Sequence, residues 1–406
     1  MLRRTAAVAA LALVTSPALL FAQDSRTASL EQQRREKAAQ LRSYQPGKIE
    51  KALLFIERED PLRKIAPRNG FFVRYGYAGK PIGSGIGASA GFRHDLFERR
   101  ARVLAQAGAT WRRYRMVRGD FSLPYLAGDR VELGIEASDW HNPQEDFFGL
   151  GASSSKSDRV SFLFDRRELQ ARAVVRPHRG LQAGVRFGRM DVSVGPGRDP
   201  RFPSIERRFG EADAPGLSEQ PDFSYGELFA AMDHRDQPGN PRAGGYYGVT
   251  WRQYSDRDFG RYSFRVLDTD VQHFFPIFDK KRVVALRGRL MTTTADAGQL
   301  TPFYFRPTVG GSDTLRSVRD FRFRDNNALA INVEYRWEAF SGLDMALFAD
   351  GGKVAARAAD LDLSDLEHAY GIGFRFNTHR SVFLRLDVGI FGAETPRLFV
   401  KFNKAF

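Results

Sequence analysis

The chain has 406 residues, a formal net charge of +14, no cysteine and an aromatic content of 13%. Without cysteine it can form neither a disulfide framework nor a thiolate metal site. In a soluble protein, an excess of basic residues of this size would indicate nucleic-acid binding. Here the basic residues alternate with apolar ones in predicted strands. We therefore expect no nucleic-acid partner, and we expect the basic side chains to line a lumen or to meet anionic lipid head groups.

The first 22 residues have the parts of a secretory signal peptide. Arg3 and Arg4 make the start basic, residues 5–20 are apolar and rich in alanine, and Ala22 is a small residue before a cleavage point at Gln23. No later stretch approaches 18 apolar residues without charge, so the sequence predicts no membrane-spanning helix.

Residues 23–68 differ in composition from the rest of the chain. Residues 29–37 are charged and helix-prone, and residues 48–57 can form an amphipathic helix with one apolar face. At 46 residues the segment is too short to be expected to build a core of its own. We predict a short helical periplasmic segment that serves as a tail or a plug.

From residue 69 to residue 406 the pattern changes to strands and turns. The predicted strands lie at about 69–77, 82–92, 99–109, 112–123, 129–139, 159–176, 180–194, 222–233, 245–255, 259–273, 280–294, 327–338, 342–351, 366–377, 381–391 and 396–405. Sixteen is an even number, which lets an antiparallel sheet close without an exposed edge. We therefore predict an all-β fold, a 16-stranded antiparallel transmembrane β-barrel.

The predicted strand at 327–338 shows why a barrel is favoured over a soluble sandwich. Its outward face carries Leu329, Val333 and Trp337, whereas Asn332 and Glu334 alternate with them and point inward. A charge on every second residue suits a wet lumen and is costly in a sandwich core. Long connections, such as 140–158 and 295–326, follow odd-numbered strands, and short turns follow most even-numbered ones. This asymmetry is typical of outer-membrane barrels, with the long loops outside the cell.

Two further patterns carry alternative interpretations. One face of the second predicted strand consists of small residues, Gly83, Gly85, Gly87, Ser89 and Gly91. They either make room for an inserted loop or an N-terminal helix, or they reflect barrel curvature. Residues 147–151, Phe-Phe-Gly-Leu-Gly, are interpreted as an aromatic girdle turn rather than a ligand site.

The last predicted strand alternates to its end. Leu398, Val400, Phe402 and Phe406 share the face that suits lipid, and Phe399 lies on the opposite face. A terminal phenylalanine after such a strand resembles the sorting signal of Gram-negative outer-membrane barrels, so Phe402 and Phe406 are predicted to form that signal. The alternative is the last strand of a soluble sandwich.

Several motifs, in order, resemble the BamA/TamA-type family of outer-membrane assembly and translocation barrels. The family's loop motif is a Gly-Gly turn followed by apolar-Arg-Gly-aromatic, and here Gly310, Gly311, Leu315 and Arg316 match it. Ser317 and Val318 stand where the family has glycine and an aromatic residue. Residues 348–352, Phe-Ala-Asp-Gly-Gly, match the family's Phe-x-Asp-x-Gly strand, and residues 233–244 resemble its Asp-x-Arg…Pro-x-x-Gly turn.

The resemblance implies that the long loop folds into the barrel and that its arginine meets the inner wall. The implied partners of Arg316 are Phe348, Asp350, Gly352 and Glu334. A bidentate pair between arginine and carboxylate is charge-assisted and geometrically selective. The alternative is an exposed Arg316 without a partner.

Enzymatic patterns are weak. The seven histidines show no metal-ligand spacing, and Asp233-His234, which resembles a protease dyad, falls within the predicted periplasmic turn. We therefore predict no enzymatic activity, no cofactor and no metal. The resemblance implies insertion or translocation of proteins at the outer membrane of a Gram-negative bacterium. The alternative is a passive pore or a lipid- or ligand-binding barrel. The expected partners are outer-membrane lipids including lipopolysaccharide, unfolded outer-membrane clients, or a periplasmic partner.

Overall fold

The computed structural model describes residues 32, 33, 36, 47, 48, 51, 54, 55, 69–75, 86–378 and 381–402. The chain divides into two units, Met1–Lys51 and Ala52–Phe406, and every strand belongs to the second. The predicted signal peptide, most of the predicted helical segment at 23–68, Gly83, Gly85 and Phe406 lie outside the described residues. Those predictions stay predictions.

Sixteen strands form one antiparallel sheet whose spatial order follows the chain, and two short strands form a separate hairpin. The sheet strands are β1 (Gly70–Tyr75), β2 (Gly87–Leu96), β3 (Ala101–Thr110), β4 (Arg115–Leu126), β5 (Val131–Phe147), β6 (Val160–His178), β7 (Leu181–Pro196), β8 (Phe223–Asp233), β9 (Gly244–Asp256), β10 (Phe264–Ile277), β11 (Arg282–Ala295), β14 (Asn327–Phe340), β15 (Leu343–Ala355), β16 (Glu367–Asn377), β17 (Val382–Gly392) and β18 (Arg397–Phe402). The hairpin pairs β12 (Thr308–Val309) with β13 (Phe323–Arg324). In the described loops, four 3₁₀ turns lie at Lys156–Asp158, Ile205–Arg207, Phe303–Phe305 and Ala358–Asp360.

The all-β class and the sixteen-stranded antiparallel sheet are confirmed. In the described part of the chain the ladder is continuous from β1 to β18, and no pairing joins those two end strands. Closure of the barrel by that pair therefore stays a prediction. The relative lengths of β1 and β18 also stay a prediction, because residues 76–85 and 403–406 lie outside the described residues.

The predicted end of the fifth strand, at residue 139, is wrong because β5 continues to Phe147. The added stretch carries charges and a proline, which favour a loop by composition. In the structure Asp139 and His141 pair across the ladder with Arg167 at 3.0 Å and Asp165 at 2.7 Å. The ladder absorbs Pro143 in an irregularity between Asn142 and Glu145.

Alternation between the two faces of the sheet is confirmed in the C-terminal strands. On β14, Val333 is 39% exposed while Glu334 is fully buried. On β18, Leu398 is 62% exposed and its neighbour Phe399 is 3% exposed. Among the described residues, no helix combines the length and the apolar character needed to cross a bilayer.

The long connections project from one end of the strands, which we call the loop end of the barrel. A cluster of buried aromatic side chains lies there, and it includes Phe147, Phe162, Phe223, Phe264 and Phe303. Phe147 packs on the rings of Phe209 and Phe303 at centroid distances of 4.9 and 5.0 Å. The interpretation of residues 147–151 as a girdle turn is wrong, because Phe147 and Phe148 are buried under loops rather than turned to a membrane interface.

The small residues of β2 make room for a neighbouring side chain. A Cβ on Gly91 would lie 2.5 Å from the ring of Phe72 on β1. Ser89 accepts a hydrogen bond from Gln106 at 3.0 Å. Within the described residues, the space beside Gly91 is thus filled by Phe72 rather than by an inserted loop.

Candidate functional site

The connection between β11 and β14 folds back into the barrel. Its turn begins at Gly310 and Gly311, whose φ angles of 137° and 87° suit glycine far better than other residues. Leu315 and Val318 are fully buried and pack in a cluster with Phe348 of β15. An apolar anchor therefore holds this connection, which we call the inner loop (residues 296–326), against the C-terminal wall.

Arg316 is the polar centre of the inner loop and is fully buried. Its Nε and Nη2 donate to the two carboxylate oxygens of Asp350 at 2.8 and 2.6 Å, and its backbone N–H donates to Asp350 at 3.1 Å. Its Nη1 donates to Glu334 of β14. The guanidinium also lies 3.6 Å from the ring centroid of Phe348, a cation–π distance. Two carboxylates and one ring thus fix the position of this arginine.

A wider network of buried charges surrounds Arg316. Arg375 of β16 donates to Glu334 at 2.9 Å and to Asp387 of β17 at 2.7 Å. Arg385 donates to Asp387 at 2.6 Å, and Arg336 donates to Glu334 at 2.7 Å. These side chains are at most 3% exposed. Four arginines thus face three carboxylates, Glu334, Asp350 and Asp387, and the network carries an excess positive charge.

Asn332 joins the inner loop to the network from β14. Its side-chain amide donates to the carbonyl oxygen of Thr314 at 2.7 Å and to Asp350 at 2.8 Å. Arg287 of β11 donates to the carbonyl oxygen of Asp313 at 3.0 Å. Hydrogen bonds from two strands therefore hold the loop backbone as well as its arginine.

Glycines in the wall allow the inner loop to approach the backbone of the strands. A Cβ on Gly389 of β17 would lie 2.1 Å from the carbonyl oxygen of Arg316, and one on Gly392 would lie 2.1 Å from Cβ of Ser317. A Cβ on Gly352 of β15 would lie 2.6 Å from Val309. These glycines provide the space for close packing of loop on wall.

The far end of the inner loop is tied to the opposite side of the barrel. Arg322 donates to the Ser154 carbonyl and hydroxyl oxygens at 2.7 and 3.0 Å. The carbonyl oxygen of Arg324 accepts from the Gly151 N–H at 2.8 Å. On the C-terminal side, Glu394 lies 3.2 Å from Arg322. The loop therefore bridges the β5–β6 connection and the β17–β18 connection.

The structure brings together the residues that the resemblance singled out: Gly310, Gly311, Leu315, Arg316, Glu334, Phe348, Asp350 and Gly352. Ser317 does not take the positive φ that the family's glycine suggested; among the described non-glycine residues of the inner loop, Phe321 does, at 61°. Phe402 lies on the exposed face of β18, at 47% exposure, and Phe406 lies outside the described residues.

Sequence reasoning missed Arg336, Arg375 and Arg385 as members of the site. The sequence carried a signal for these three arginines, because each occupies an inward position in an alternating strand and the buried carboxylate of Glu334 needs cations around it. The Asp233 carboxylate binds Arg235 at 2.6 and 2.8 Å, so it does not orient His234. Among the described residues, no group of three or more His, Asp or Glu side chains is placed to hold a metal ion.

Comparison with known proteins gives one family and a set of similar barrels. The Omp85 superfamily domain matches residues 99–395. A crystal structure of BamA from Haemophilus ducreyi lacking POTRA domains 1–3 is similar, with a TM-score of 0.61 and 15% identity over 82% of this chain and 69% of that one. CdiB from Acinetobacter baumannii matches with a TM-score of 0.46 and 12% identity over 82% of this chain and 58% of that one. No curated protein sequence matches the chain.

Proposed function

The chain belongs to the Omp85 superfamily, as a β-barrel of the Gram-negative outer membrane of the BamA/TamA type, and on this premise we propose that it inserts or translocates proteins at that membrane. We propose further that it does so by opening between β1 and β18 and pairing the free edge with a strand of an unfolded client. Edge pairing of this kind gives affinity through main-chain hydrogen bonds.

The observation that carries the proposal is the state of the two end strands. No ladder joins β1 and β18 in the described part of the chain. Every other pair of neighbouring sheet strands is joined there, for example by ten residue pairs between β2 and β3. Each unmade backbone bond in hydrocarbon is costly, so opening at the position without a described ladder breaks the fewest bonds.

The inner loop supports one side of that seam more than the other. The hydrogen bonds of residues 312–317 to the sheet fall on β11 and β14–β17, and Asp313 lies 3.7 Å from Lys401 of β18. Among the described residues, β1 makes no ion pair with the inner loop. We infer that the C-terminal wall is the rigid template and that the β1 side moves.

The second candidate function is a passive pore, which the N-terminal half of the inner wall favours. Arg172 pairs with Asp120 at 2.5 Å and with Glu132 at 3.0 Å, while Arg186 and Arg252 both pair with Glu227. Side chains of Arg186 and Arg252 remain about a third exposed, at 32% and 33%. Ion pairs whose arginines stay partly exposed suit a wetted lumen.

Reconstitution separates the two functions. The purified barrel in lipid vesicles is mixed with an unfolded outer-membrane barrel client, and client folding and ion conductance are measured on the same sample. If the chain is an assembly factor, the client inserts faster than it does into empty vesicles. The measurement is made both with and without a periplasmic partner or lipopolysaccharide. Conductance without any acceleration of insertion would support the pore and contradict the assembly function.

A further inference from the structure

A polar cavity of about 170 Å³ lies at the loop end of the barrel, beside β18. Its walls come from the turn between β3 and β4, the end of β5, the connection before β6, the 197–222 loop, the inner loop and the first residues of β18. The cavity is separate from the Arg316 network, because none of that network's residues lines it.

Five arginines line the cavity: Arg112, Arg159, Arg201, Arg319 and Arg397. Arg159 is the most deeply placed of the ion-paired ones, with a side chain 10% exposed, and its Nη2 donates to Asp146 at 2.9 and 3.0 Å. The Nε donors of Arg159, Arg319 and Arg397 are buried and have no hydrogen-bond partner in the described part of the chain. The cavity therefore gathers more cationic donors than its own acceptors satisfy.

The acidic residues of the cavity do not cancel this charge. Asp146 and Asp199 are each engaged by one arginine, at 2.9 and 2.7 Å, and Glu145 accepts from Asn142 at 2.6 Å. Glu394, beside the cavity, lies 2.9 Å from Arg397 and 3.7 Å from Arg319, so one carboxylate serves two of the five arginines. Burial raises the pKa of Asp320 to about 8, so this carboxyl is largely neutral near pH 7. Burial lowers the pKa of Arg159; Asp146 raises it, and the neighbouring Arg319 lowers it further. An anion in the cavity would relieve this crowding of positive charge.

Aromatic rings complete the lining. Tyr114, Phe321 and Phe399 border the same space. Phe321 adopts a φ of 61°, a strained conformation for a bulky residue, and such strain concentrates at ligand sites. The arginines suit a phosphate group. The carboxylate and amide oxygens of Glu145 and Gln144 can accept hydrogen bonds from hydroxyl groups, and the aromatic rings can pack on an apolar face of the ligand. The volume is below that of pockets for drug-sized ligands, which is roughly 300–1,000 Å³.

We propose that this cavity binds a phosphorylated sugar at the extracellular mouth of the barrel, next to the first residues of β18. Two sources carry the same chemistry: the phosphorylated sugars of an outer-leaflet glycolipid, and a free sugar phosphate. Neither follows from the protein's role in assembly, so the proposal stands or fails independently of it.

Calorimetric titration of the purified full chain in detergent tests the proposal with three probes: glucose 1-phosphate, inorganic phosphate and glucose. We expect glucose 1-phosphate to bind most tightly, inorganic phosphate more weakly, and glucose without detectable heat. Arg201→Gln and Arg397→Gln should each weaken glucose 1-phosphate binding at least about tenfold, since each removes charge-assisted donors. The Arg201 side chain is 57% exposed but pairs with the buried Asp199, so heat-modifiable migration of each variant checks that the barrel is folded before the titration.

The matched control is Arg261→Gln. Arg261 is a loop arginine paired with Glu219 at 3.2 Å, lies outside the cavity and undergoes the same change of charge. It should bind glucose 1-phosphate like the parent. Absence of binding, equal loss in the control, or unchanged binding in both cavity variants would overturn the site. Equal affinity for inorganic phosphate and glucose 1-phosphate would overturn the assignment to a sugar.

The source of the ligand is decided by competition. Lipopolysaccharide in mixed micelles should displace glucose 1-phosphate, and its dephosphorylated form should not, if the outer leaflet supplies the ligand. Sugar-phosphate binding that lipopolysaccharide does not displace would support the free sugar phosphate as the source.

Discussion

The guanidinium of Arg316 and the carboxylate of Asp350 form a two-point pair, with Nε···Oδ2 of 2.8 Å and Nη2···Oδ1 of 2.6 Å. One partner comes from the inner loop and the other from β15, so this single pair fastens the loop to the wall. Both side chains are at most 1% exposed, which places the pair away from screening by water.

Arg316→Ala and Asp350→Ala should each destabilise the barrel. Breaking a buried ion pair by removing one partner costs about 3–5 kcal/mol, and a wet lumen reduces that figure. The double variant should be no less stable than the worse single variant, because the two residues act as one unit. The measurement is urea unfolding of the four proteins in lipid vesicles.

Arg167→Ala provides the control for that cycle. Arg167 pairs with Asp139 at 3.0 Å but is 78% exposed, and such surface pairs contribute about 1 kcal/mol or less. Additive losses for Arg316 and Asp350, or losses no larger than that of Arg167, would show that the loop is not held by this pair.

Gly389→Ala should displace the inner loop without changing any charge. The added Cβ would lie 2.1 Å from the carbonyl oxygen of Arg316, and overpacking of this kind costs about 1–3 kcal/mol. Gly288→Ala on β11 is the matched control, because no heavy atom lies within 4 Å of a Cβ there. We expect proteolysis of the inner loop to be faster than in the parent for Gly389→Ala and unchanged for Gly288→Ala. Equal proteolysis in both would contradict the close approach at Gly389.

Stability should fall as pH rises from about 4 to 8 because of Asp320. Burial raises the pKa of Asp320 to about 8 from an ordinary 3.8, while Lys401 and Arg397 lower it and Asp313 and Asp146 raise it. Between about pH 4 and 8 the carboxyl is protonated in the folded state and ionised in the unfolded state, so rising pH favours unfolding. Above about pH 8 the carboxyl is ionised in both states, and its effect on stability no longer changes with pH. Asp320→Asn should flatten the dependence of unfolding free energy on pH across that window.

Asp296→Asn serves as the control for the pH series, since it removes a carboxyl from the same loop at a residue whose side chain is 33% exposed. It should leave the slope nearly as in the parent. An unchanged slope in Asp320→Asn would mean that the buried carboxyl does not titrate as proposed.

Deleting Phe406 should lower assembly of the chain into the outer membrane without changing its synthesis. The exposed face of β18 carries Leu398, Val400 and Phe402, and Phe406 continues that series in the sequence. Heat-modifiable migration of membrane fractions measures assembly, and pulse labelling measures synthesis. Phe406→Tyr keeps the aromatic ring and should assemble normally. Normal membrane levels of the truncated chain would count against the sorting role.

Period-two alternation in the sequence predicted much of the fold. Each predicted strand has a counterpart in the sheet, and the inward position of Glu334 followed from parity alone. Strand ends were less predictable: β5 runs on to the buried Phe147 because its ladder with β6 continues past Pro143, in a stretch whose composition favours a loop.

The site was predictable where a motif existed and not where packing decided. Arg316 and Asp350 came from the family pattern, whereas Arg375 joins the site through contacts with two other strands that no local pattern encodes. Gly389 illustrates the same limit, because its role depends on the carbonyl of a residue 73 positions earlier in the chain. The arginine-lined cavity is likewise assembled from six separate segments.

The seam between β1 and β18 offers the most direct test of the assembly function, and the absence of native cysteine makes disulfide trapping clean. Val73→Cys is combined in turn with Leu398→Cys, Val400→Cys and Phe402→Cys, all at exposed positions. The control, Val73→Cys with Ala90→Cys, joins β1 to its ladder partner in β2 and leaves the seam free.

Insertion of an unfolded barrel client and ion conductance are measured on each oxidised and reduced sample. The account predicts that at least one seam pair cross-links in the resting barrel, that this cross-link abolishes client insertion until it is reduced, and that conductance is unchanged. The control pair should insert clients normally. A fully cross-linked seam that still inserts clients at the parent rate would contradict the proposed function and leave the pore in its place.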